Sequence, residues 1–305
     1  MPKRARKAKF PALVFILLCA GIAFFVYTQG SLPYVKEQAQ RVREAVSPNP
    51  GPSPTSTAPH GQAKSYAVGS YGQTFTYAGQ PVPTTYPNSI TVLTNTAYVI
   101  GYDETRENPA WVAYRIPAKT VTGDFPRPKH FQTDTRTRAR VTHDDYTNSG
   151  YDRGHMAPNL AIASHFGEQA QTETFLMSNV VPQRGDLNQG PWRLLEETLS
   201  SVTAPVDGEI WVITGPIYDN HPEHLRAGVE IPDAFFMAIA DETPTGPRLQ
   251  AFILPQSAPR KADFRAYRTS VDEVEKESGL DLFTELPDDQ ENKLEAEQSS
   301  YWLEK

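Results

Sequence analysis

Residues Phe175–Leu199 read FLMSNVVPQRGDLNQGPWRLLEETL. The apolar run at the start suits a half-buried extended strand. Gly190 and Pro191 then mark a helix start, because proline in a first helical turn loses no hydrogen bond and already has a helical φ. Trp192, Leu195 and Leu199 come next at helical spacing and form one apolar face. The stretch predicts a strand carrying Asn179 and a helix that begins at or near Asn188. Upstream, Tyr151–Asn159 reads YDRGHMAPN, where Pro158 stops any helix from running through. A strand with His155, a strand with Asn179 and a helix from Asn188 can bring an imidazole, an amide oxygen and a carboxylate together. The eight residues from Asn188 to Glu196 cover about 12 Å of helix axis. Glu196 can therefore reach a ligand at the helix start through water, but hardly shares a coordination shell with Asn188.

Working outward, strand-like runs recur: ITVLTNTAYVIGYD, PAWVAYRI, EIWVITGPIYD, AFFMAIAD and RLQAFILP, punctuated by Gly, Pro and Asp. Helical signals are fewer, in PWRLLEETLSSV, SVDEVEKESG and PDDQENKLEAEQ. Strands separated by short turns predict an α+β fold, with a mainly antiparallel or mixed central sheet and helices on its faces. The length of 305 residues suits one catalytic-size domain with appendages.

The net charge of −7 is unevenly spread. The first ten residues carry +5 and Asp263–Lys305 carries −8, which leaves −4 for the middle. An acidic domain argues against tight static binding to nucleic acid, though a local basic groove is compatible with it. Arg127, Lys129, Arg136, Arg138 and Arg140 are candidates for that groove, although such runs are usually solvated loops.

Five positive charges in residues 1–9 precede the uncharged apolar segment Phe10–Tyr27. Its 18 residues exceed a signal-peptide core and just suffice to span a bilayer. The positive-inside rule keeps the basic end cytoplasmic and exports the chain beyond Tyr27. The expectation is a single-pass membrane anchor, or a secreted or periplasmic protein if the segment is cleaved near Gly21 and Ala23. Residues 28–64, rich in Pro, Ser and Thr, read as a spacer, 65–297 as the catalytic domain and 298–305 as a tail. Cys19, the one cysteine, lies in the apolar segment, so the exported part is free of disulfides and thiolate metal sites.

The chain lacks a Gly-x-Ser-x-Gly elbow, a phosphate loop, a dinucleotide glycine fingerprint and a His-Glu-x-x-His helix. His221 and His224 are spaced for a metal but lack a nearby third ligand, and read as surface-loop residues. His60, His130, His143 and His165 form no constellation. His155 alone has one.

DRGHMAPN, LMSNVVPQRGDLNQGPW and Glu196 together resemble the DNA/RNA non-specific endonucleases of the ββα-metal type. NPAWVAYRI, DDYTNSGYDRGH, VITGPIY, IPDAFF and VDEVEKESGLDLF extend the likeness from about Ser65 to about Glu297. The resemblance implies Mg²⁺-dependent hydrolysis of DNA and RNA, with Mn²⁺ as the alternative ion. His155 would be the general base, Asn188 the direct metal ligand, and Glu196 the holder of the metal's waters. Arg153 would offset charge on the phosphorane, Asn179 would support the cluster, and Asp152 would fix the loop. Gly154 would permit close backbone approach. A further phosphate contact falls to Arg127 or Lys129. One secreted branch has an arginine one turn beyond the glutamate, where this chain has Ser200. Two other readings compete: a silent surface receptor for nucleic acid needs neither His155 nor Asn188, and a phosphodiesterase for small substrates needs a closed pocket.

Overall fold

The computed structural model describes residues 75–85, 88–243 and 246–299. The basic run, the apolar segment 10–27 and the spacer 28–64 lie outside these residues. Among the described residues no helix is long and apolar enough to cross a membrane.

Nine of the thirteen strands among the described residues form the large sheet and the ribbon that carries the site. β1 (Ile90–Thr94), β2 (Tyr98–Asp103) and β3 (Asn108–Ile116) form a meander. β4 (Asp152–His155) and β5 (Val180–Gln183) form a separate ribbon. β6 (Ile210–Ile217), β7 (Ala234–Thr243), β8 (Gly246–Pro255) and β9 (Arg268–Thr269) complete the large sheet. That sheet has seven strands in the order β9-β8-β7-β6-β3-β2-β1. Every pairing in it is antiparallel, so the fold is α+β without the parallel pairs that a mixed sheet would contain. The run ITVLTNTAYVIGYD is two strands, turned at Asn95 where its N–H donates to the Tyr98 carbonyl.

The helices are α1 (Asn159–Phe166), α2 (Glu168–Glu173), α3 (Gly185–Asn188), α4 (Pro191–Thr198), α5 (Ala204–Asp207), α6 (Val271–Ser278) and α7 (Asp288–Ala296). They cover both faces of the sheet, which is why its central strands read as continuous apolar runs rather than as alternations. Phe235, Met237 and Ile239 of β7 pack with Met156, Trp192 and Leu195 on one face. Their neighbours Phe236, Ala238 and Ala240 pack with Val271, Val274 and Phe283 on the other. Trp192 is 1% exposed and meets Phe235 edge-on at 5.7 Å. Burial of that size makes a Trp192→Ala change cost roughly 3–5 kcal/mol.

Two local expectations are corrected. Asn179 does not lie on a strand: Met177–Asn179 form a 3-10 turn, and β5 begins at Val180. The long helix does not begin at Asn188, which instead ends the four-residue α3, while α4 starts at Pro191. Gly190 permits the break, with φ −113° and ψ −118°. It lacks a Cβ because one would sit 2.3 Å from the Asp186 carbonyl oxygen and 2.6 Å from that of Arg260. α4 then continues through a π-type turn at Leu199–Thr203 before α5.

Candidate active site

The ribbon sets the frame. His155 pairs with Val180, Gly154 with Val181, Arg153 with Pro182 and Asp152 with Gln183. Gly154 allows the close approach expected of it: a Cβ there would lie 2.0 Å from Oε1 of the buried Gln183.

Asn179 sits directly before β5 and is 0% exposed. Its Oδ1 accepts the Ala157 N–H at 2.8 Å, and its Nδ2 donates to the carbonyls of Ala157 and Thr174, each at 3.0 Å. Its own carbonyl accepts the Met156 N–H. The side chain therefore staples the turn just beyond His155 and has little capacity left for a ligand.

His155 is held between two rings, Phe131 at 5.1 Å and Phe175 at 5.0 Å between centroids. A short parallel bridge between Gln132 and Leu176 brings the two phenylalanines together. Nε2 of His155 is buried without a hydrogen-bond partner. Burial, aided by the Arg127 charge, draws the imidazole pKa down to about 3, so the ring is neutral.

Of the two basic residues proposed upstream, the fold brings in Arg127. Its guanidinium lies 4.9 Å from the centre of the Phe175 ring, the ring that flanks His155. Lys129 is exposed and forms no ion pair among the described residues. Arg136 belongs to the framework rather than a groove. It grips the buried Asp134 and donates to the Thr94 carbonyl and the Asn95 side chain. Arg138 and Arg140 are exposed loop residues. Arg153 donates to the His143 carbonyl at 2.6 and 3.2 Å and to Thr147 Oγ1 at 3.1 Å, which fastens the 3-10 turn His143–Tyr146 to the ribbon.

Asn188 is half-buried at the end of α3. Its Nδ2 donates to Asp152 Oδ2 at 2.9 Å, and Gln189 Nε2 donates to the same oxygen at 2.8 Å. Asp152 thus fixes which way the Asn188 amide faces and leaves Oδ1 as its unspent acceptor. Further supports are ones that the sequence did not signal. Gln256 accepts the Arg184 N–H and donates to the Pro182 and Pro232 carbonyls, which pins the start of α3. Arg260 donates to Gln189 Oε1 at 3.0 Å.

Glu196 lies two turns along α4 and accepts the Trp192 indole N–H at 3.0 Å. Burial pushes its carboxyl up to about 8, against that hydrogen bond, which favours the charged form. The buried Tyr114 hydroxyl has no partner, and the Glu196 charge adds to the burial that raises it. Ser200 is buried and donates back to the Glu196 carbonyl. His221 and His224 are exposed at the surface, as expected.

The donor set fits a hard divalent cation. Asn188 offers a fixed amide oxygen, and Glu196 offers a half-buried carboxylate that accepts one hydrogen bond from Trp192. Magnesium keeps several waters and needs few protein ligands, so one amide and one water-mediated carboxylate are compatible with it.

The DNA/RNA non-specific endonuclease family matches residues 79–289. The nuclease of Serratia marcescens is 32% identical over 211 residues, covering 66% of this chain and 77% of that protein. Mitochondrial nuclease EXOG of Danio rerio is 32% identical over 210 residues, and the match covers 63% of this chain but 60% of that longer protein. Among solved structures, one of the EndoG/EndoGI complex superimposes with a TM-score of 0.59 at 25% identity, covering 66% of this chain and 89% of that one. Family match, relatives and fold agree: the chain belongs to the DNA/RNA non-specific endonucleases.

Proposed function

We propose that the protein is a Mg²⁺-dependent endonuclease that hydrolyses phosphodiester bonds of DNA and RNA with little sequence preference. The observation that carries this reading is the unpartnered imidazole nitrogen of His155, held in the same ββα unit as an Asn188 amide oxygen that its neighbours leave unspent.

His155 takes the proton from a water that attacks phosphorus. Phe131 and Phe175 hold its ring, and Asn179 fixes the backbone behind it. Arg127 and Arg153 bring positive charge toward the phosphate oxygens as the phosphorane forms. Asn188 would hold the ion directly, and Glu196 would orient its waters. When bound, Mg²⁺ supplies positive charge at the scissile phosphate and the leaving oxygen. Low sequence preference results if the protein grips phosphate and sugar alone, since these carry no base code.

We further read the basic run and apolar segment 1–27 as an anchor that places this domain outside the cytoplasm. The sequence pattern supports that reading. Protease added to cells, or to cells with an opened outer membrane, should then release active enzyme by cutting within the spacer 28–64. Incubating the purified chain with plasmid DNA and with RNA, with Mg²⁺ and with chelator, tests the activity. Internal cleavage of both polymers, abolished by chelator, is expected. Binding without cleavage would overturn the enzymatic reading.

A further inference from the structure

On the face of the sheet opposite His155, α6 and α7 pack against the second core, through Val271 and Val274 on one helix and Leu294 on the other. Asp272 and Glu275, three residues apart on α6, share a helix face. Glu295 of α7 is 5% exposed, yet its Oε1 is buried with no hydrogen-bond partner. One oxygen from each of the three carboxylates lies within 4.8 Å of the others. We propose that Asp272, Glu275 and Glu295 bind a divalent cation of the calcium class, separate from the catalytic ion.

The arrangement has the dimensions of such a site. Calcium–oxygen distances are about 2.3–2.6 Å, so two ligands on opposite sides of one ion lie about 5 Å apart, and the triad fits within that limit. The cation beside the site is Lys276, which lines the adjoining cleft and is already paired. Lys276, the nearest lysine in sequence, pairs with Glu273 at 2.9 Å and Glu277 at 3.3 Å. Asp281 and Glu291 add further negative charge. One oxygen of Glu275 accepts the Leu282 N–H at 2.7 Å, which orients the group and leaves the other oxygen for a ligand.

An adjoining cleft of about 540 Å³, lined in part by Thr84, Thr85, Asp272, Glu275, Lys276 and Asp281, gives a hydrated ion access and room for water ligands. Calcium suits this set better than magnesium, because it accepts several carboxylates in irregular geometry and sheds water readily. The family match ends at residue 289, so Glu295 belongs to a segment beyond it. The cation would clamp α7 to α6.

The test is the thermal unfolding of the full chain in Ca²⁺ and in EGTA. Calcium at a hundredfold excess over its Kd should raise the midpoint by about 5–10 °C. The rise should persist in Asn188→Ala, which separates it from binding at the active site. In Glu295→Gln it should vanish, while this variant in EGTA should be at least as stable as wild type, because a buried repulsion is gone. If Glu295→Gln fails to fold, Asp272→Asn at the exposed rim should show the same loss. No rise in wild type, a full rise in Glu295→Gln, or a rise abolished in Asn188→Ala would each overturn the site. So would metal-free protein that gains stability on acidification and never responds to calcium, since protons would then hold the carboxyls together.

Discussion

Two asparagines nine residues apart do opposite things. Asn179 is fully buried and spends its amide on three hydrogen bonds to the backbone around Ala157 and Thr174. Asn188 is half-buried and spends one, through Nδ2, on Asp152. The same contrast separates Arg136, locked onto Asp134 and the β1–β2 turn, from Arg127, which rests on Phe175 beside His155. A polar group whose hydrogen bonds are all satisfied internally builds the frame. One oriented by its neighbours but left with an unspent donor or acceptor is available for chemistry.

The largest effect is expected where the contrast is sharpest. His155→Ala should lose about 10³-fold or more in turnover, within the range that general-base catalysis commonly contributes, while DNA binding and fold persist. Added imidazole should restore part of the rate, because the ring leaves a space between Phe131 and Phe175. Cleavage within tenfold of wild type would remove His155 from the role of base.

The two asparagines should separate next. Asn188→Ala should abolish cleavage but leave the unfolding free energy within about 1 kcal/mol, since one partly exposed hydrogen bond is lost. Asn179→Ala should instead destabilise the chain by roughly 2–4 kcal/mol, because it strands the buried Ala157 N–H and two carbonyls. Comparing cleavage rates with denaturant unfolding of both variants checks this. If both variants fail in the same way, frame and chemistry are not divided between them as the hydrogen bonds indicate.

The sequence singled out His155, Asn188 and Glu196 as candidates because DRGHMAPN and LMSNVVPQRGDLNQGPW resemble a family's motifs in order and spacing. It also showed the strands and the C-terminal helices, α6 and α7, because burial on two faces and capping by Ser270 are local signals. The break between α3 and α4 was hidden. Proline after glycine announces a helix start, but the close approach that requires glycine at position 190 involves Arg260, far away in the chain. Phe131, Gln256 and Arg260 were invisible for the same reason: nothing in their own segments marks them, and only the folded chain sets them behind the site. Arg127 could not be told from Lys129 until Phe175 was placed beneath it.

Glu196→Gln lies between the extremes. The amide keeps the shape and the Trp192 hydrogen bond, but not the charge that would orient metal waters in the proposed mechanism. A loss of roughly 10–100-fold is expected, partly recovered by raised Mg²⁺. Rate against Mg²⁺ concentration measures it. A variant more damaged than Asn188→Ala would reverse the two roles.

The depressed His155 pKa also shapes stability. Its folded value of about 3 lies below the ordinary 6.5, so in that interval the unfolded chain binds a proton that the folded chain refuses. Stability linked to this group is therefore complete above pH 6.5 and falls as pH drops toward 3, by up to about tenfold in the folding equilibrium per pH unit. Unfolding of wild type and His155→Ala across that window should show a steeper acid loss in wild type. Parallel curves would mean the ring is solvated and protonates normally.

The smallest effect concerns the exposed cations. Arg127 is positioned by Phe175 and adds its charge beside His155, whereas Lys129 stands in solvent without a fixed partner among the described residues. A positioned guanidinium should hold a phosphate in one orientation, but a mobile ammonium contributes mainly long-range attraction that salt screens. Arg127→Ala should therefore raise KM and lower kcat/KM by about tenfold at moderate salt. Lys129→Ala should stay within about twofold, and that small difference should vanish as ionic strength rises. Measuring kcat/KM for both variants at low and high salt distinguishes a placed contact from a diffuse one. Equal losses in the two, with equal salt dependence, would return Arg127 to the solvated loop and leave Arg153 as the arginine at the phosphate.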